Sequence, residues 1–278
     1  MISGCDARIS GGDDAPLDGA RVATEDGAIR PDAGSDRPTL DASSDSTASD
    51  AAVPESGRDS AATCEALSSS TLYLVGDSTV ASDSGWGDAL PDYLTGEAVV
   101  TNTAVGGRSS KSFYDEGRFD ETRDALTDRD YVLIQFGHND AKREAYRRTE
   151  PGAPPEFDGT YREYLERYIE ETRARGATPV LVTSVSRMVF SDGLQRTHGD
   201  YPAAMRAVAA DHGVTLLDLE ERSFQEFDRL GEAETLRLYA ESSDDRTHFP
   251  DDKAFRVAEL VVELIRESPS SLACFLAE

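Results

Sequence analysis

Five short apolar runs, at residues 72–75, 98–100, 131–136, 179–182 and 214–219, set the narrowest limit on what this chain can fold into. Each is too short for a core helix and is rich in Val, Leu and Ile, so each reads as a strand buried on both faces. Between them the period changes. Tyr161, Tyr164, Leu165, Tyr168 and Ile169 recur at helical spacing and fall on one face of a helix. A last helix carries Ala254, Ala258, Val261 and Ile265 in the same way, with Phe255, Leu260 and Leu264 widening the stripe. Strands alternating with helices imply right-handed crossovers and a parallel sheet covered on both sides. The expectation is an α/β fold, a three-layer sandwich around a five-stranded parallel sheet, with any site at the carboxyl ends of the strands.

Ahead of the first run the texture is different. Residues 6–65 are mostly Asp, Ala, Ser, Gly and Thr without apolar periodicity, and cannot bury enough surface to offset the entropy of ordering. Residues 1–65 therefore read as a disordered acidic tail or stalk and residues 66–278 as the folded domain. The start, Ile2-Ser3-Gly4-Cys5, resembles the end of a bacterial lipoprotein signal, although the basic and hydrophobic stretch that normally precedes it is missing. One reading is a lipid anchor through Cys5 with the domain extracellular, periplasmic or at the cell surface; the other is an ordinary Cys in a plain tail. With Cys5 lipidated, Cys64 and Cys274 remain as a disulfide pair for an exported domain. A net charge of -26, from 54 acidic and 28 basic residues, opposes binding to nucleic acid or to an anionic membrane. No apolar run approaches the roughly 18 residues of a membrane span. A monomer is expected.

The first strand ends in Gly76-Asp77-Ser78-Thr79, which delivers a hydroxyl to the carboxyl edge as the chain turns. Ser78 is a candidate nucleophile there, although the same tetrapeptide is also a good turn and helix cap. After the second strand come Gly106-Gly107-Arg108-Ser109, where glycine lets backbone N–H groups approach a ligand closely. Neither Gly-Lys-Ser/Thr nor a dinucleotide glycine pattern accompanies them, which argues against nucleotide binding. The third strand ends in Gly137-His138-Asn139-Asp140, where the Asn139 amide could donate to a developing oxyanion and ordinary turn chemistry is the alternative. Asp245-Arg246-Thr247-His248 stands just before the last helix. A carboxylate three residues ahead of an imidazole can hold its Nδ1–H and leave Nε2 for a serine. Of the other histidines, His138 lies in the Asn loop, His198 in a long excursion and His212 before a Gly at a helix end, which leaves His248 as the best base. His-Glu-x-x-His and paired Cys ligands are both lacking, so no metal is expected, and no other cofactor.

In this order and at these strand ends, the four blocks resemble those of the SGNH hydrolases, which supply Ser, Gly, Asn and His from a flavodoxin-like sheet. The resemblance covers residues 71–266. Within that superfamily, Gly76-Asp77-Ser78-Thr79, Gly107-Arg108-Ser109, Phe136-Gly137-His138-Asn139-Asp140 and Asp245-x-x-His248 look like the rhamnogalacturonan acetylesterase group. So do Arg175-Gly176-Ala177-Thr178-Pro179 and Thr197-His198-Gly199-Asp200-Tyr201-Pro202. The resemblance implies a carboxylic ester hydrolase with Ser78, Asp245 and His248 as triad. It implies an oxyanion hole made by the N–H groups of Ser78 and Gly107 and the Asn139 side chain.

The implied substrate is a short acyl ester, acetyl, on a polysaccharide such as acetylated rhamnogalacturonan or pectin, with Trp86, Arg108 and His198 as substrate contacts. Trp86, in Ser84-Gly85-Trp86-Gly87, offers an indole face to a sugar ring or else belongs to the core. Arg108, Arg143, Arg147 and Arg148 supply local positive charge for a galacturonate-rich polymer that the net charge repels. The rival enzyme reading is a lysophospholipase, thioesterase or arylesterase, because fold and triad do not fix the acyl group. A surface carbohydrate-binding module without chemistry is a further alternative, opposed by the presence of every triad and oxyanion position.

Overall fold

A computed structural model describes Cys64, residues 69–240, Ser242 and residues 244–277. All five apolar runs are strands: β1 (Ser70–Gly76), β2 (Ala98–Asn102), β3 (Tyr131–Gln135), β4 (Thr178–Val182) and β5 (Thr215–Leu217). They form one parallel sheet in the order β2-β1-β3-β4-β5. The helices are α1 (Ser110–Asp115), α2 (Arg118–Ala125), α3 (Thr160–Ala174), α4 (Tyr201–His212), α5 (Leu219–Tyr239) and α6 (Asp251–Glu267).

The period of two along each strand sorts its side chains into two cores, one per face. Leu72 and Leu74 of β1, Leu133 of β3 and Val180 and Val182 of β4 belong to the core that includes Phe227 of α5 and Val261 of α6. Val75, Val132, Ile134 and Leu181 belong to the other, with Phe113 of α1, Leu165 and Tyr168 of α3 and Met205 of α4. The result is the three-layer sandwich. All five stripe residues of α3 are buried, as are Ala254, Ala258, Leu260, Val261 and Ile265 of α6. Phe255 departs from expectation: it sits a hundred degrees around the helix from Ala254, off the stripe, and is 39% exposed. Burial on both faces also fails at the sheet edges, where Val99 of β2 is 57% exposed and Thr215 and Leu216 of β5 are only half-buried.

Cys64 and Cys274 are joined in a disulfide across a sequence separation of 210 residues. The bridge ties the segment ahead of β1 to the short turn Ser271–Phe275 that follows α6. In the chain-entropy account, closing so long a loop stabilises the fold by about 5 kcal/mol. Apart from Cys64, the expected tail over residues 1–65, with Cys5, lies outside the described residues.

From β1 the chain passes to β2 on one side and then to β3 on the other. Strand order reverses there, and the carboxyl ends of β1 and β3 border the crevice in which open α/β sheets bind ligands.

Candidate active site

The turn after β1 is built from below. Asp77 is fully buried, and its Oδ1 accepts from the Thr79 N–H at 2.9 Å and the Thr79 hydroxyl at 2.8 Å. That closes the chain around Ser78, which is left half-buried. Under the turn, Gln135 of β3 donates through Nε2 to Thr79 Oγ1 at 2.7 Å and accepts at Oε1 from Trp86 Nε1 at 3.0 Å. Gly85 lies so close that a Cβ there would stand 2.2 Å from the Thr79 carbonyl carbon. Only glycine permits that approach, and it lets the Ser84 hydroxyl donate to Ser78 O at 2.7 Å. Trp86 therefore cannot stack on a sugar. It is wholly buried with its N–H committed to Gln135, so it acts as a strut beneath the nucleophile turn.

His248 reaches this turn from the loop before α6. Its Nε2 lies 2.9 Å from Ser78 Oγ and its Nδ1 3.0 Å from Asp245 Oδ2. The second oxygen of Asp245 accepts from the backbone N–H groups of Thr247 (2.8 Å) and His248 (2.9 Å). Burial pushes the Asp245 carboxyl up. The N–H groups of His248 and Thr247 and the imidazole together outweigh it and hold the group below its ordinary value. Asp245 is thus ionised at neutral pH, Nδ1 keeps the proton and Nε2 turns its lone pair to Ser78. The loop is braced by Phe249 N–H to Ser84 O (3.1 Å) and Met188 N–H to Arg246 O (2.8 Å).

The glycine loop after β2 lies beside Ser78, since a Cβ on Gly106 would be 3.7 Å from Ser78 Cβ. Gly107 has φ +75°, a left-handed conformation suited to glycine. No hydrogen bond among the described residues uses the backbone N–H of Ser78 or of Gly107. Asn139 is buried and donates one amide N–H to Arg108 O at 3.0 Å. This leaves two backbone donors and the second Asn139 N–H for an anion next to the hydroxyl.

The other expected substrate contacts are differently employed. Arg108 pairs with Glu116 at 3.1 Å and donates to Gly106 O at 3.0 Å, bracing the glycine loop. His198 is only 5% exposed and stands edge-on to His138, with ring centroids 4.5 Å apart. Burial, with His138 and Arg187 nearby, keeps His198 well below the ordinary imidazole value, so it is a neutral buried residue and not a surface contact. His138 is likewise depressed by burial despite the Asp77 carboxylate 3.5 Å from its Nδ1.

Gln135 and Asp140 carry roles that the sequence reading did not assign. Gln135 announces itself only as a polar residue inside an apolar run. Asp140 is fully buried and accepts from Ser110 Oγ (2.5 Å), Ser110 N–H (3.2 Å) and Thr149 Oγ1 (3.0 Å), joining the glycine loop to the Asn139 loop. Burial raises its pKa to about 7 against the pull of those donors, with Asp77 adding to the rise. A raised carboxyl pKa stabilises the fold fully below the ordinary value of 3.8 and loses that contribution as pH climbs through about 7. The difference is on the order of 4 kcal/mol. Between pH 4 and pH 8, denaturant-derived stability should fall more steeply for the native protein than for Asp140→Asn; identical slopes would show that Asp140 does not titrate in this way.

Residues 69–252 match the GDSL-like Lipase/Acylhydrolase family. The probable rhamnogalacturonan acetylesterase YesY of Bacillus subtilis (strain 168) is 39% identical over 206 residues, which is 70% of this chain and 92% of that protein. The rhamnogalacturonan acetylesterase RhgT of the same organism is 36% identical over 216 residues, 70% of this chain and 89% of that one. Among solved structures, YxiM of Bacillus subtilis superimposes with a TM-score of 0.62 at 27% identity, over 72% of this chain and 57% of that one. With the family model spanning most of the described domain, the chain belongs to the GDSL-like lipase/acylhydrolases, the SGNH group that its four sequence blocks resemble.

Proposed function

We propose that this carboxylic ester hydrolase removes acetyl groups from a polysaccharide of the acetylated rhamnogalacturonan type, with Ser78, His248 and Asp245 as its triad. The reading is carried by the hydrogen-bonded chain from Ser78 through His248 to Asp245, in a protein that matches nearly the whole length of relatives named for that activity. His248 takes the hydroxyl proton as Ser78 Oγ attacks the ester carbonyl carbon. The tetrahedral oxyanion is held by the N–H groups of Ser78 and Gly107 and by Asn139. Collapse expels the sugar oxygen, which takes the proton from His248. A water activated by the same ring then attacks the acetyl-enzyme and releases acetate.

Losing one donor of such a hole costs about 100- to 1000-fold in kcat. Asn139→Ala is expected to show that loss on p-nitrophenyl acetate; an unchanged kcat would remove Asn139 from the oxyanion hole.

The test of the substrate compares acetate release from acetylated rhamnogalacturonan with hydrolysis of p-nitrophenyl esters of increasing chain length. Acetate release with a preference for the shortest acyl group supports the proposal. A preference for chains of about eight carbons or more, with no acetate from any polysaccharide, would move the assignment to a lipid esterase, since each methylene in a fitted pocket is worth only about 1–3 kcal/mol and several together decide. We place the enzyme outside the cytoplasm as a monomer, tethered through a lipid on Cys5. A polymer is too large to enter a cell, and the Cys64–Cys274 bridge suits an oxidising compartment. Release of a Cys5→Ser protein from the membrane fraction checks the tether.

A further inference from the structure

The loop after Asn139 reverses the sign of the rest of the molecule. Against 54 acidic and 28 basic residues in the whole chain, residues 141–150 set Lys142, Arg143, Arg147 and Arg148 against only Glu144 and Glu150. The loop is tied to the site. Lys142 N–H donates to Asn139 O at 3.1 Å, Thr149 N–H to Asp140 O at 3.0 Å, and the Arg147 guanidinium to Gly107 O at 3.4 Å. Its two carboxylates are already paired, Glu144 with Arg147 and Glu150 with Arg148. Lys142 and Arg143 are exposed, and neither side chain makes a hydrogen bond or a contact ion pair among the described residues. Tyr146, three residues on from Arg143 in the same loop, is 57% exposed, with the Arg147 guanidinium 5.5 Å from its ring centroid.

An exposed aromatic ring takes the apolar face of a pyranose, and adjacent unpaired cations take a carboxylate. We propose that Lys142, Arg143 and Tyr146 form a subsite for galacturonate residues flanking the scissile ester, so that the enzyme reads a polyanionic backbone in preference to a neutral one. The proposal rests on the polysaccharide reading of the same site. It also accounts for how so acidic a protein engages an acidic polymer: repulsion from the distant charges is screened beyond about 10 Å in ordinary salt, while contact pairs at the loop are screened less.

The experiment is binding, independent of turnover, by titration calorimetry with unacetylated oligogalacturonate and with neutral xylo-oligosaccharide of equal length. The full-length protein should bind oligogalacturonate more tightly, with an affinity that weakens as salt rises. Lys142→Gln combined with Arg143→Gln should raise its Kd for oligogalacturonate about tenfold, or about 1.4 kcal/mol, and leave the Kd for xylo-oligosaccharide in place. Tyr146→Ala should weaken both ligands. Equal affinity of the native protein for the two ligands, or an oligogalacturonate Kd unmoved by the double substitution, would overturn the subsite. Absence of acetate release from every polysaccharide would instead overturn the function proposed above, while the binding comparison still decided the loop.

Discussion

Ser78→Ala is expected to lower turnover of p-nitrophenyl acetate by about 10⁴- to 10⁶-fold, the range over which loss of a serine nucleophile leaves only binding and oxyanion stabilisation. The substitution removes one atom from a half-buried side chain whose recorded partner is His248 Nε2. His248 is itself 38% exposed, so solvent can satisfy the ring once the hydroxyl is gone. What shapes the turn is untouched: Asp77 still caps Thr79, Ser84 still donates to the backbone oxygen of residue 78, and Gln135 still holds Thr79 from below. Rate and stability should therefore separate, with a large fall in kcat and a melting temperature within a few degrees of the native value. Retention of more than about a hundredth of native kcat would remove Ser78 as the nucleophile.

The fold was legible because the strands of this sheet are apolar on both faces wherever helices cover them, and such runs stand out against the acidic helices. The edges were not. Ala98, Val99 and Val100 look like any interior run, and the exposure of Val99 follows from β2 having a neighbour on one side only, which is a property of strand order. The candidates Ser78, Gly107, Asn139 and His248 stood out because each follows a strand or precedes the last helix, where polar residues must be explained. Trp86 could not be placed. Whether an indole in a glycine loop faces solvent or core depends on a partner for its N–H, and that partner, Gln135, lies 49 residues away on β3. Asp140 is similar: its donors come from separate parts of the chain, Ser110 from the start of α1 and Thr149 from the loop before α3, and its burial near Tyr161 and Tyr168 is a product of how α3 packs on the sheet. The basic loop was visible as sequence, but only the structure shows which of its cations are already neutralised.

Asp245→Asn should be nearly as damaging as loss of the hydroxyl, and the hydrogen bonds around Asp245 say why. Oδ1 accepts from two backbone N–H groups, those of Thr247 and His248, while Oδ2 faces His248 Nδ1. An asparagine must keep its oxygen toward the two N–H donors, because turning the NH₂ group there would set donors against donors. The NH₂ group then faces Nδ1 and makes that nitrogen the acceptor. The imidazole is forced into the tautomer with its proton on Nε2, where it meets Ser78 Oγ with a donor and cannot remove the hydroxyl proton. The carboxylate that would have stabilised the imidazolium is also gone. In serine hydrolases that use the same relay, this isosteric change lowers kcat about 10⁴-fold, and a loss of that order is expected here. Asp245→Ala, which leaves the ring free to choose its tautomer, should lose no more than Asp245→Asn. A kcat for Asp245→Asn within tenfold of the native enzyme would show that Asp245 does not set the protonation of His248, whatever the two residues' separation.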